Sequence, residues 1–328
     1  MRSQAQLLSV VVPAYREGSH LAASLQRIGE VVAATGHRHE IIVVDDGSTD
    51  DTWEVVRRLS ADDPRVVGLR LSRNFGKESA LAAGLTASRG DAVIVMDADL
   101  QHPPELIPEM VRIWREDRAD VVEARKTPTR RESLPTRARR RIFNGLVRRF
   151  SGFDLREASD FKLLDAAGVD AWRQCGERSL FFRGMVAWLG FRVVRVPFEV
   201  PAGARGDSKW TLRGLVNLAL VGLTAFSAVP LRLASILGGL FLVFAVGASI
   251  YTLVYRLLGN AEPGFTTVIL LQMFTSSLVL LCLGVIGEYI ARIYEEVKAR
   301  PRYVVAELLD GRAHDRPARA GGGTTSGT

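Results

Sequence analysis

Two carboxylates one residue apart, Asp97 and Asp99, follow an apolar run in the stretch VIVMDADLQHPPE, residues 93–105. The four apolar residues predict a strand buried on both faces, so the acids fall at its C-terminal end. In open α/β sheets the crevice outside the carboxyl ends of the strands is where ligands bind. Acids at this spacing can turn towards one hard cation, which prefers oxygen ligands and can be shared with phosphates. Gln101 could add a carbonyl oxygen. Pro103 and Pro104 stop the strand, and Pro104 suits the first turn of a helix beginning near Glu105. The competing reading is that Asp97 and Asp99 only cap that helix.

The surrounding elements would place these acids on a shared edge. Residues 8–13 and 40–44 read as strands, each followed by a helix, at about 19–35 and from about Asp50 to Ala61. A third strand at 66–71 leads through Gly76 into a helix ending at Gly90. After the acidic strand come a helix at 105–116 and a fifth strand near 120–123. Such alternation predicts a mainly parallel, Rossmann-like α/β sheet covered by helices. Three of its strand ends carry polar clusters: Tyr15 and Glu17, then Asp45, Asp46 and Ser48, then Asp97 and Asp99. A nucleotide across that edge needs a carboxylate for base or ribose and a metal to neutralise a diphosphate. Neither GxGxxG nor GxxxxGK[ST] occurs, which leaves a metal-held diphosphate as the remaining mode.

A formal charge of +7 over 328 residues calls for an anionic partner. Residues 125–149 concentrate it, with ten Arg or Lys and one carboxylate, Glu132. Part of this arm, 137–151, can be a helix with Ile142, Phe143, Leu146, Val147 and Phe150 on its apolar face. A solvated basic helix and a nucleic-acid groove are the alternatives, but stacking aromatics are absent and an apolar anchor follows. We therefore read the arm as meeting phosphate and an anionic bilayer surface, at about 1 kcal/mol per near-surface cation, with no nucleic acid as partner. Cys175 and Cys282 are the only cysteines, so neither a disulfide framework nor a zinc site is expected, and the body should face a reducing cytosol. The first 13 residues are too short an apolar run for a signal peptide.

Residues 212–226 read as a helix lying at a membrane interface. Residues 233–255 and 264–287 are uncharged and each long enough to cross a hydrocarbon layer of roughly 30 Å; a buried hairpin of a soluble protein is the other option. Glycines 238, 239, 247, 284 and 287 permit close helix packing, within one chain or in a homo-oligomer. Arg292, Lys298, Arg300 and Arg302 after the second stretch, and the arm before the first, predict both termini on the cytoplasmic side of the inner (plasma) membrane. The expected organisation is a catalytic domain at 1–210, a juxtamembrane helix at 211–230, two spans within 231–291 (about 233–257 and 264–290), and a tail at 292–328, disordered at its end.

The segments VVPAYREG, VVDDGSTDDT, SRNFGKESALAAGL and VMDADLQHPPE, in this order, resemble family-2 inverting glycosyltransferases of the GT-A fold over about the first 125 residues. SDFKLLD, FFRGMVAWLGF, GDSKWTLRGL and the two apolar stretches extend the resemblance to polyprenyl-phosphate glycosyltransferases related to dolichyl-phosphate-mannose synthase. It implies a nucleotide-sugar site at Pro13, Tyr15, Glu17, Asp46, Ser48, Lys77 and Asp97, with Mg²⁺ or Mn²⁺ on Asp97, Asp99 and Gln101. Arg125 and Arg139 would contact the lipid phosphate, and Lys209, in the Gly-rich loop 201–210, would also meet phosphate. Asp99 would be catalytic through the metal. Asp160 would act near the acceptor as a base, or orient a sugar hydroxyl, or merely cap a helix. A phosphate monoester with a second pKa near 6 is already largely dianionic at neutral pH, so the reaction needs cations that bring two anions together more than it needs a base. Gly203 and Val221 depart from the family pattern. The implied activity is inverting transfer of a sugar to polyprenyl phosphate, with UDP-glucose the first choice of donor and GDP-mannose and UDP-N-acetylhexosamines behind it. A processive polysaccharide synthase is disfavoured because no QxxRW occurs, and a non-catalytic scaffold because Asp97 and Asp99 are intact.

Overall fold

The computed structural model describes residues 6–126, 159–175, 182–198, 229–258 and 264–311. The chain divides into two compact units, one comprising 1–131, 156–206 and 301–328, the other 132–155 and 207–300. The first is built on β1 (Leu7–Ala14), α1 (Leu21–Ala33), β2 (Arg38–Asp45), α2 (Thr52–Asp62), β3 (Val66–Leu71), α3 (Lys77–Ala87), β4 (Ala92–Val95), α4 (Ile107–Arg115) and β5 (Val121–Lys126). It continues with β6 (Lys162–Asp165), α5 (Ala166–Gln174), α6 (Phe182–Trp188), β7 (Val193–Phe198) and β8 (Val305–Leu309).

The eight strands form one sheet in the order β7-β5-β6-β4-β1-β2-β3-β8. Its centre is parallel, β4 and β2 flanking β1, while β6 runs antiparallel to β4 and β5, and β8 antiparallel to β3. The central strands read as unbroken apolar runs because both faces are covered. Val10 and Val12 pack on one side with Leu21, Ile28, Met110 and Trp114, whereas Val11 packs on the other with Leu81, Leu85, Val169 and Trp172. Register places Ala14 opposite Asp45 and Val11 opposite Val95, so β1, β2 and β4 release their chains along one edge.

β8 has no counterpart in the sequence reading, which assigned no element to that part of the tail. It pairs with β3 from Gly68–Leu309 to Leu71–Val305 and is tied down by the Trp53 Nε1–H bond to Glu307 at 2.9 Å.

The second unit contains two long helices, α7 (Val229–Leu257) and α8 (Phe265–Val297), with Phe241 and Phe274 in ring contact at 5.1 Å. Within α8, Leu271–Ala291 is long and apolar enough to cross a membrane, with a mean hydropathy of 1.8 and none of it buried. In α7 the corresponding apolar segment, Gly238–Ala248, is shorter, so among the described residues one helix rather than two meets that length and composition. The basic arm from residue 127 onward, with Arg139, the loop with Gly203 and Lys209, and the 212–226 segment with Val221 lie outside the described residues.

Candidate active site

The loops after β1 and β2 are laced together by backbone donors. The N–H groups of Arg16 and Glu17 donate to Ser48 Oγ and Thr52 Oγ1 at 3.0 and 2.9 Å, and the Asp46 N–H donates to the Ala14 carbonyl. Gly47 sits at φ +68°, and a Cβ there would lie 2.4 Å from the Arg73 backbone, so only glycine lets the loop after β3 pass so close. Asp46 secures that loop, its two oxygens accepting the N–H groups of Phe75 and Gly76 at 2.8 and 2.9 Å. Burial nevertheless pushes its carboxyl up. These bonds deliver Lys77, the first residue of α3, to the edge where β4 ends.

The loops enclose a cleft of about 320 Å³, lined by Pro13, Tyr15, Glu17, Asp46, Lys77, Asp97 and Asp99 among others. Six of the seven residues assigned to the nucleotide sugar therefore share one cavity wall. Ser48, the seventh, is buried beneath it as a loop tie. Gln101 donates its backbone N–H to Asp99 Oδ1 at 3.0 Å, and Leu100 between them adopts the left-handed region at φ +52°. Gln101 and Arg125 are not among the lining residues; Arg125 lies in β5, in register with Pro197 of β7.

A row of alternating charges starts at Asp97 and Lys77 in the cleft wall and continues through Asp160 to Arg183, which are not among the lining residues. Lys77 Nζ lies 2.6 Å from Asp97 Oδ1 and 2.7 Å from Asp160 Oδ2. Arg183 of α6 grips Asp160 from the other side, Nε to Oδ1 at 2.7 Å and Nη2 to Oδ2 at 2.9 Å. Burial alone would raise the Asp160 carboxyl, but the hydrogen bonds and charges of Arg183 and then Lys77 overturn this and hold it well below the usual carboxylate range. Burial likewise opposes the Lys77 ammonium, and Asp97 and Asp160 outweigh it. A carboxylate so held is a poor proton acceptor and a good anchor for two cations.

Arg183 was missed in the sequence reading, although a single Arg inside the apolar FFRGMVAWLGF is a signal of a charge with a partner. Glu78 was missed too. Its carboxylate accepts the Phe182 N–H at 2.8 Å and so fixes the start of α6. Burial pushes Glu78 up to about 6. Because the folded value lies above the unfolded one, its contribution to stability is intact below about pH 4.5 and is lost as pH rises through about 6. Glu78→Gln, which keeps an acceptor for Phe182, should flatten the decline in Tm across that window; an unchanged slope in thermal melts from pH 4.5 to 7.5 would remove Glu78 as its source.

Two cleft carboxylates form an oxygen-only donor set suited to a hard divalent cation. Burial pushes the nearby Glu17 carboxyl up, against the pull of His20, and Asp99 and Asp97 add to the rise, so cation-seeking charge collects here. Among the described residues no three His, Cys, Asp or Glu side chains could together hold a metal. A cation at Asp97 and Asp99 would complete its shell with phosphate oxygens and water, the usual habit of Mg²⁺.

The chain matches the family model for glycosyl transferase family 2 over residues 9–176 and that for the GtrB C-terminal hairpin over residues 229–293. It is 38% identical to an uncharacterized glycosyltransferase, YkcC, of Bacillus subtilis, covering 90% of this chain and 92% of that one. It is 35% identical to a prophage bactoprenol glucosyl transferase homolog of Escherichia coli (92% and 99%) and 36% identical to the bactoprenol glucosyl transferase of Shigella phage SfII (91% and 97%). A mannosyl-3-phosphoglycerate synthase structure from Rubrobacter xylanophilus is similar with a TM-score of 0.47 and 18% identity, over 79% of this chain and 78% of that one.

Proposed function

The chain belongs to glycosyl transferase family 2, and from that premise we propose that it transfers glucose from a nucleotide diphosphate sugar to a polyprenyl phosphate at the cytoplasmic face of a membrane, with inversion. The observation that carries this reading is likeness over nearly the whole length, hairpin included, to proteins named as bactoprenol glucosyl transferases.

In the reaction an oxygen of the acceptor phosphate attacks the anomeric carbon, the bond from that carbon to the diphosphate breaks, and its electron pair leaves with the nucleoside diphosphate. No proton has to move when the acceptor is dianionic. Asp97 and Asp99 would hold Mg²⁺ or Mn²⁺, which when bound offsets the charge gathering on the leaving diphosphate. Tyr15, Glu17 and Asp46 border the space for the nucleoside. Lys77 lies between Asp97 and Asp160 and would meet the donor diphosphate there. Arg125, Arg139 and Lys209 are assigned to the acceptor phosphate.

The position of β8 supports an even number of membrane crossings. This strand comes after the helical hairpin yet belongs to the sheet that precedes it. A chain that left the sheet for the bilayer would have to return to the same side, so crossings between residues 206 and 301 come in an even number. Leu271–Ala291 would supply one, and α7, 29 residues and about 44 Å long, has the length for the other. The cations after α8, Lys298, Arg300 and Arg302, favour a cytoplasmic side.

The test is incubation of purified protein with Mg²⁺, a polyprenyl phosphate and a panel of UDP and GDP sugars, with mass detection of the glycolipid. One hexose added per lipid, from UDP-glucose, is expected. A growing polymer would favour a processive synthase, and no product from any donor would overturn the assignment.

A further inference from the structure

In the charge row two cations, Lys77 and Arg183, meet on one carboxylate, Asp160. Lys77 already neutralises Asp160 and shares itself with Asp97. Arg183 adds a second, two-point grip on the same carboxylate. Asp160 is buried, its side chain 9% exposed, whereas that of Arg183 is 40% exposed. Two of the five guanidinium N–H donors serve Asp160, and Nη1 meets no acceptor among the described residues. The side chain is pinned from behind, and the Glu78 bond to Phe182 N–H fixes the backbone that carries it. A planar guanidinium oriented by a carboxylate with its outer edge open is arranged to take a phosphate by two parallel bonds. It also lies close enough to Asp97 for that charge to act on it.

We propose that the open edge of Arg183 binds a phosphate group at the border of the cleft, with Asp160 as the residue that positions it. The inference rests on the transfer reading above for the identity of the phosphate, which is either that of the prenyl acceptor or the diphosphate of the donor. In both cases Arg183 would draw an anion past Asp97 and Asp99, a task Lys77 shares while bonded to two carboxylates.

Calorimetric titration of the full-length protein in detergent, with UDP in Mn²⁺ and separately with farnesyl phosphate, tests this. Arg183→Met should weaken one of the two by about 10- to 100-fold, the cost of a charge-assisted bond. Loss of farnesyl phosphate alone assigns the acceptor, and loss of UDP alone assigns the donor. Should Arg183→Met fail to fold, Arg183→Lys, which keeps a cation beside Asp160 but lacks the planar fork, should weaken the same ligand and is read in the same way. Binding of both ligands within twofold of wild type by a folded variant would overturn the proposal. Because the readout is binding, absence of glycolipid synthesis by the wild-type protein would defeat the transfer reading and leave this one to be decided by the titrations.

Discussion

Asp99→Ala should reduce sugar transfer by about 10³ while leaving the fold in place. The rate follows from the charge that must be accommodated: a departing nucleoside diphosphate without a divalent cation loses several kcal/mol of transition-state stabilisation, and each 1.4 kcal/mol is tenfold. The small structural cost follows from position. Asp99 is exposed, and its one hydrogen bond among the described residues takes the Gln101 backbone N–H, which water can replace. Neighbouring Asp97 is a less clean choice, because its removal also frees Lys77 from one of its two carboxylates. Transfer at several Mn²⁺ concentrations, beside thermal melts, checks the expectation. Full activity, or activity indifferent to chelator in both proteins, would dismiss the cation from Asp97 and Asp99.

The central strands and the acidic edge could be read in advance because their signals are local. An apolar run such as VVV at 10–12 ending in polar residues needs no knowledge of distant chain to be placed as a strand end. Pairings between distant residues carry no such mark. Lys77 and Asp160 are 83 positions apart, and nothing in either neighbourhood names the other. β8 meets β3 across more than two hundred residues, and VAELL is too short to show a period against the long helix before it. Asp46 and Ser48 show a subtler gap. Their polarity was read as facing a ligand, and part of it is spent on backbone N–H groups that shape the loops. Side chains that build a cleft and side chains that face it have the same composition, and hydrogen-bond geometry separates them.

The same geometry yields a sharp expectation for Asp160. Asp160→Asn leaves Arg183 and Lys77, each about two-fifths exposed, facing a neutral amide, and loss of these charge-assisted bonds costs about 1.5–3 kcal/mol, or roughly 5 °C in Tm for a domain of this size. Transfer should fall at least as steeply, because both cations lose the anchor that orients them. The pH profile separates this role from that of a base. In the wild-type protein Asp160 is ionised throughout the working range, since Arg183 and Lys77 hold its carboxyl well below the usual values. An acid limb near pH 6 is then expected from the second ionisation of the acceptor phosphate, and its persistence in Glu78→Gln separates it from the Glu78 carboxyl, which burial pushes up to about 6. That limb should persist at the same pH in Asp160→Asn, with the whole curve lowered. A limb that vanishes with the substitution, at unchanged Tm, would return Asp160 to the part of general base.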